Sequence, residues 1–190
     1  GRLIAAAFDG KKLSLEEVSR WESRPVKIGG SFHWDADAIF SSILGGLRAA
    51  KAKCGNSIVS LGIDTWGVDY GLLDSSDRLV SMPYIYRDSR TEGMEEEVFA
   101  KIPRSEIYAR TGIQFMFFNT IFQLAADARA GAFERAETFL MMPDLIAFML
   151  CGVKANERTN ASTTQCYNPF KRDWDWGILE KIGAPERLFT

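Results

Sequence analysis

The sequence is poor in the groups that most metal and hydrolytic sites use. Histidine occurs once, as His33, so no Ser-His-Asp triad can be built, and this imidazole reads as a structural, exposed-looking side chain beside Trp34. Cysteine occurs three times, at Cys54, Cys151 and Cys166. That odd number at wide spacing matches no zinc pattern and predicts a reducing, cytoplasmic setting, with each thiol a small apolar filler. Positive charge is not in surplus: the net charge of −2 removes the basic footprint that nucleic-acid binding needs. No apolar run approaches the roughly 20 residues of a membrane helix. Leu3 to Phe8 is too short, and too soon followed by charge, for a secretory signal. Neither GxxxxGKS/T nor GxGxxG occurs, which excludes a P-loop and a dinucleotide fingerprint.

What is present is an ordinary globular balance, 46% hydrophobic and 25% charged residues over 190 positions. That length suits one sizeable domain, or one plus a fragment. The chain opens on Gly1-Arg2-Leu3 without a starting Met and closes without a tail, as a piece of a longer protein would. Residues 2–22 predict an antiparallel hairpin, because Asp9-Gly10 lies between two apolar runs. A loop with Gly29-Gly30 and a short edge from Phe32 to Trp34 follow. Asp35 then caps a helix whose Ile39, Ile43, Leu44 and Leu47 share one face, and Gly55 ends it. Gly45 and Gly46 inside it cost about 1 kcal/mol each relative to Ala, which close packing on a sheet explains. Strands are expected at 57–63 and 67–73, with residues 74–77 turning the chain back to 79–82. Thr91 and Asn119 are expected helix caps, Pro143 a first helical position, 138–142 a short strand and Gly152 a helix stop. Strands alternate with helices, so the predicted class is α/β, with a mixed central sheet flanked by helices.

The chemistry concentrates in four stretches. An apolar run, Ile58 to Ile63, climbs to Asp64-Thr65-Trp66-Gly67-Val68-Asp69 before Tyr70. Two acids, a hydroxyl and an indole within six residues are costly to bury unpaired, so they are expected at a strand end facing a cleft. Gly67 removes a side chain where something approaches the backbone. This is the composition of a polar-ligand site, with sugar hydroxyls as good occupants; a strand pair with an internally bonded Asp remains the alternative. Tyr86-Arg87-Asp88-Ser89-Arg90-Thr91 follows a strand and precedes a helix, where charges clamp a ligand or simply bridge a loop. Gln114 to Asn119 carries three phenylalanines between two amides, a sugar-stacking set or a core plug. Thr159 to Gln165 is a hydroxyl and amide cluster, either polar surface with a cap or part of the same site.

In these stretches, in this order, together with Gly112-Ile113 and Met142-Pro143-Asp144, the chain resembles the FGGY carbohydrate kinases, and most specifically their branch acting on L-rhamnulose. The resemblance spans essentially the whole chain. It implies an actin-like, ribonuclease-H-like ATPase fold, present twice around a cleft. Residues 1–190 would be most of the first, sugar-facing domain, cut at both ends, with the nucleotide-side domain outside them. It implies ATP and Mg²⁺ as cofactors and transfer of the γ-phosphate to O1 of L-rhamnulose. Gly67 would be a substrate-binding position, with Thr65, Trp66, Asp69 and Asn119 around the same sugar. Gly1 and Arg2 would close a turn that holds ATP phosphates. The catalytic base, an Asp, is expected downstream, so no catalytic residue is assigned within this chain. A kinase for fuculose, xylulose or a related ketose is the alternative within the class, and a non-catalytic sugar-binding module the alternative outside it.

Overall fold

Turn chemistry sets the first elements. In the computed structural model, which describes residues 1–189, β1 (Arg2–Phe8) and β2 (Leu13–Arg20) form an antiparallel hairpin. Gly10 takes φ of 93°, open to glycine at little cost, and the Asp9 carboxylate accepts the backbone N–H groups of Lys11 and Lys12. A second hairpin joins β3 (Pro25–Ile28) to β4 (Ser31–Trp34). Asp35 caps α1 (Ala36–Cys54), accepting from the Ala38 N–H at 2.9 Å, and Gly55 ends it. This helix lies across the first hairpin. A Cβ on Gly46 would stand 2.6 Å from Ser19 Oγ and 3.2 Å from Leu3 Cβ, whereas Gly45 faces open space. Close packing therefore explains Gly46 and not Gly45.

The strand expected at 57–63 is not formed. Residues 55–57 make one 3₁₀ turn, and 58–66 run extended without belonging to any ladder. The apolar pattern was right for a strand, but a strand exists only through a hydrogen-bonded neighbour. Instead, Leu61 and Ile63 line one groove with Gly1, Leu3 and Ile4. The expected strand at 67–73 shortens to β5 (Tyr70–Leu73), and the return at 79–82 is a single bridge, Leu73 with Leu79. The class is α/β as expected, and among the described residues the ladders of the expected mixed sheet are four separate antiparallel pairs.

Three helices follow: α2 (Met94–Lys101), α3 (Arg104–Thr111) and α4 (Thr120–Arg129). Thr91 does not cap. It is buried in a 3₁₀ turn whose first free N–H, that of Arg90, is already taken by Asp88 Oδ1 at 3.0 Å. Asn119 holds the N-cap position of α4, but its side chain bonds elsewhere. Then β6 (Thr138–Met141) pairs antiparallel with β5, and α5 (Met142–Cys151) starts with Pro143 in its first turn and stops at Gly152. The chain closes with α6 (Arg158–Ala161), β7 (Tyr167–Asn168), β8 (Asp173–Trp174) and α7 (Trp176–Ile182).

The β5–β6 pair is buried on both faces. Tyr70, Leu72, Phe139 and Met141 face the main core, which α2, α4 and α7 complete through Val98, Phe122 and Ile178. Leu73 and Leu140 face the other way, with Met142 and Leu145 of α5, and Trp66 packs against that smaller cluster. Period-two alternation thus divides one ladder between two cores. Of the cysteines, Cys166 is buried as expected, but Cys151 is exposed.

The two neighbouring glycines of α1 yield opposite expectations. Gly45→Ala should stabilise by about 0.5–1 kcal/mol, because Ala costs less helical entropy and meets nothing. Gly46→Ala should destabilise by about 1–3 kcal/mol through overpacking against Ser19 and Leu3. Urea unfolding of both variants checks the pair, and equal shifts would contradict the packing.

Candidate functional site

Asp69 sits at the centre of the polar stretch, 0% exposed. The backbone leaves residue 69 to enter β5, which turns its carboxylate inward beneath the 64–68 segment. Its Oδ2 accepts Trp34 Nε1–H at 2.7 Å and Trp66 Nε1–H at 2.8 Å, and its Oδ1 accepts Gln123 Nε2–H at 3.1 Å. The two indoles also pack on each other, ring centroids 4.4 Å apart. Burial pushes the Asp69 carboxyl above its ordinary range, opposed by the donors from Trp34, Gln123 and Trp66. A fully buried carboxylate with this many donors is anchored, and it is out of a ligand's reach. Asp69, expected around the sugar, therefore supports the site from below.

A second layer of polar groups lies behind it. Gln123 Nε2 also reaches the carbonyls of Val68 at 3.2 Å and Phe118 at 3.0 Å, and its Oε1 accepts Arg90 Nη2–H at 3.0 Å. Arg90 pairs with Asp127 at 2.5 Å and stacks over the Tyr84 ring at 3.9 Å. Burial works against the Arg90 charge, but Asp127 beside it holds its pKa above the usual value. The Tyr70 hydroxyl donates to Asp127, and burial first, then that carboxylate, raise its pKa well above normal. Asp88 likewise serves structure, accepting the Phe32 N–H at 2.7 Å. The charges in 86–91 are therefore mostly internal, and Tyr86 alone of the loop's aromatic and charged groups meets the phenylalanine cluster, 5.3 Å from Phe118 between centroids.

Above this base the segment from Asp64 to Gly67 is partly open. Asp64, Thr65 and Trp66 line a groove of about 880 Å³ together with Gly1, Arg2 and Trp34. With Gly67 they also line a second recess of about 570 Å³, closed on its far side by Asp144, Asn160 and Thr163. Gly1 and Arg2, expected to meet phosphates, thus share a groove with Thr65 and Trp66. Gly1 is tied to Trp21 by two hydrogen bonds, one in each direction. A Cβ on Gly67 would meet only Thr163 Oγ1, at 3.7 Å, an ordinary contact, so a side chain could start there without a clash.

Asn119 is not available to a ligand in the way expected. It is 4% exposed, and its Nδ2 donates to the Gln114 carbonyl and to Gln165 Oε1, each at 2.8 Å. It fastens α4 to the 159–165 turn, an internal use that an amide at a helix start signals only weakly. The phenylalanines divide: Phe118 meets Tyr86 and the exposed Phe117, its ring centroid 5.1 Å from the latter, whereas Phe115 meets Phe99 under Arg104. His33 is structural as read, though buried rather than exposed, with Nδ1 2.7 Å from the Met82 carbonyl. Sequence reasoning passed over Trp34, Thr120 and Gln123. An indole next to an N-cap and an amide three residues into a helix carry no local signal. Among the described residues no three His, Cys, Asp or Glu side chains gather as a metal site.

Three comparisons extend the geometry. Residues 3–190 match the profile described as the FGGY family of carbohydrate kinases, N-terminal domain. The rhamnulokinases of Oceanobacillus iheyensis and Halalkalibacterium halodurans are each 44% identical over 191 aligned residues, covering 100% of this chain and 40% of theirs. That of Bacteroides thetaiotaomicron is 42% identical, with 39% of its length covered. The chain therefore spans about 40% of the length of the curated relatives it matches. Among solved structures, a ligand-bound xylulose kinase from Lactobacillus acidophilus superposes with TM-score 0.79 at 16% identity, over 95% of this chain and 36% of that one. A xylulose kinase from Rhodospirillum rubrum gives 0.77 at 14% identity, over 100% and 43%. Those two likenesses establish the fold, which is the actin-like fold expected from the sequence.

The recess holds one group poised to titrate. Asp144, in the first turn of α5, is 8% exposed and its Oδ2 has no hydrogen-bond partner. Burial, with a smaller push from the Glu157 charge, raises its pKa to about 6 against a backbone hydrogen bond from Glu157. The folded state thus holds this proton more tightly than the unfolded chain, whose value is near 4. Stability from Asp144 is present below about pH 4 and is lost as pH rises to about 6. Asp144→Asn should therefore leave the melting temperature unchanged near pH 4 and raise it above pH 6, by about 2–4 °C for each kcal/mol relieved. Melting curves from pH 4 to 8 check this, and a gain independent of pH would refute the assignment.

Proposed function

This chain belongs to the FGGY family of carbohydrate kinases, as its N-terminal domain, and from that premise we propose that it forms the sugar-facing part of a kinase phosphorylating L-rhamnulose at O1. The observation that carries the reading is Gly67. It lies on a half-buried ridge between an anchored indole and an anchored carboxylate, facing a recess in which a Cβ would meet Thr163 Oγ1 alone, at 3.7 Å. Rigid groups on both sides and open space ahead are what a bound sugar needs to be held in one pose. Similarity to rhamnulokinases over the whole chain, at 42–44% identity in three of them, supports the ketose.

In this reading Thr65 offers a hydroxyl to the sugar and Trp66 an apolar face, while Asp69 fixes the Trp66 ring through its indole N–H. Phosphoryl transfer of this kind depends mostly on positioning and charge stabilisation, so the contribution of these residues is to orient the hydroxyl and exclude water. Arg2 lines the shared groove beside Gly1, and its guanidinium suits part of a phosphate chain. Bound ATP would supply the phosphoryl group, its charge offset by Mg²⁺. Among the described residues the metal finds no cluster of its own, and the base that takes the hydroxyl proton is expected downstream of them.

Gly67→Val in the intact protein tests the reading. The glycine lacks a positive φ and meets one atom at 3.7 Å, so a branched side chain should leave the melting temperature within about 2 °C. It should raise KM for L-rhamnulose about tenfold or more, the equivalent of about 1.4 kcal/mol. A coupled ATP assay over L-rhamnulose, L-fuculose and D-xylulose reads both ketose choice and loss. A large drop in stability with unchanged KM would return Gly67 to a backbone role, and turnover of another ketose in preference would move the substrate.

A further inference from the structure

The backbone just after Gly67 is strained. Val68 has φ of 69°, a region that a β-branched residue enters only at a cost. The Asp69 N–H donates to the Gly67 carbonyl at 3.0 Å, closing a three-residue γ-turn around Val68. With φ positive at its centre, this is the rarer and strained form of that turn. Such a conformation persists only where surrounding contacts over-determine it, and it clusters at ligand sites.

The contacts that hold it come from one helix face. Thr120 and Gln123, three residues apart in the first turn of α4, both donate to the Val68 carbonyl, at 3.0 and 3.2 Å. They are 0% and 1% exposed, so neither touches solvent or a ligand. Gln123 is itself oriented by Arg90, and Arg90 by Asp127. Among the described residues, the N–H groups of Gly67 and Val68 donate to no protein acceptor. Two unclaimed donors on a half-buried turn, beside the open space at Gly67, suit the oxygen atoms of a polyol.

We propose that Thr120 and Gln123 are positioning residues for the sugar. They hold Val68 in its strained turn and thereby fix where the Gly67 and Val68 amides meet substrate oxygens. The inference deepens the kinase reading and rests on it for the identity of the occupant.

The test uses the intact protein and a double-mutant cycle. Thr120→Val should raise KM for L-rhamnulose about five- to tenfold, with KM for ATP unchanged, and Thr120→Ser, which keeps the hydroxyl, should restore it. In a Val68→Gly background no strain remains to be held, so the added effect of Thr120→Val should fall to about twofold or less. Thr120→Ala replaces Thr120→Val if the buried methyl is not tolerated. Hydrogen exchange at the Asp69 amide reads the turn without any substrate, and it should quicken at least tenfold in Thr120→Val. Unchanged exchange, an equal effect in both backgrounds, or sugar and ATP constants rising together with a fall in melting temperature would each overturn the proposal. Faster exchange in a protein whose wild type turns over no ketose would instead overturn the kinase reading and leave the turn clamp standing.

Discussion

The interior of this domain is organised by a carboxylate that has been taken out of water. Burying Asp69 without partners would cost several kcal/mol, and its ionised form more. Indoles from two separate segments and an amide from α4 converge on it because each N–H offsets part of that cost. Trp34 brings the β3–β4 hairpin, Trp66 the extended segment, and Gln123 the helix that carries much of the main core. One acceptor group thereby fixes the relative placement of three regions far apart in the chain. Removing it would leave three buried donors to find new acceptors, which is the costly side of the hydrogen-bond balance.

From that anchor the rest follows in two directions. Below it, β5 and β6 run between two apolar clusters, so the strand leaving Asp69 is locked on both faces. Met142 donates its N–H to the Asp69 carbonyl at 3.1 Å, which ties the start of α5 to the same point. Above it, the chain from Asp64 to Gly67 belongs to no ladder and is held only by its ends and by the Trp66 ring. A rigid base beneath a ridge with few internal contacts is the arrangement in which a ligand can supply the missing partners. The polar residues that look functional in the sequence thus divide into those that build the base and those that border open space.

That division explains which site residues sequence reasoning could find. Gly67 stood out because a glycine between Trp66 and Val68 has no packing purpose in an apolar strand, and in the structure a Cβ there would meet Thr163 Oγ1 alone, at 3.7 Å. Asp69 and Asn119 were legible as unusual, and an internal use was one of the two readings open for each, but the choice was not legible, because beyond the nearby Trp66 and Gln114 their partners lie 35, 54 and 46 residues away along the chain. Arg90 and Asp127 form a buried pair across 37 residues, and no local pattern links an arginine in a loop to an aspartate on a helix. Trp34, Thr120 and Gln123 were missed for the same reason: their function is defined wholly by what they reach.

The sequence by itself determined the elements whose cause is local. The Asp9-Gly10 turn, the Asp35 cap, the Gly55 and Gly152 stops and the Pro143 start all depend on residues within a turn of one another, and each stands where expected. Its motifs were enough to identify the family, because they run in the family's order along essentially the whole chain. Only the tertiary structure decided the rest. Residues 57–63 have the composition of a strand but no neighbour to pair with, and pairing is a long-range event that composition does not contain. Whether a carboxylate or amide faces a ligand or the interior was likewise decided by which distant donors and acceptors the fold brings within reach of it.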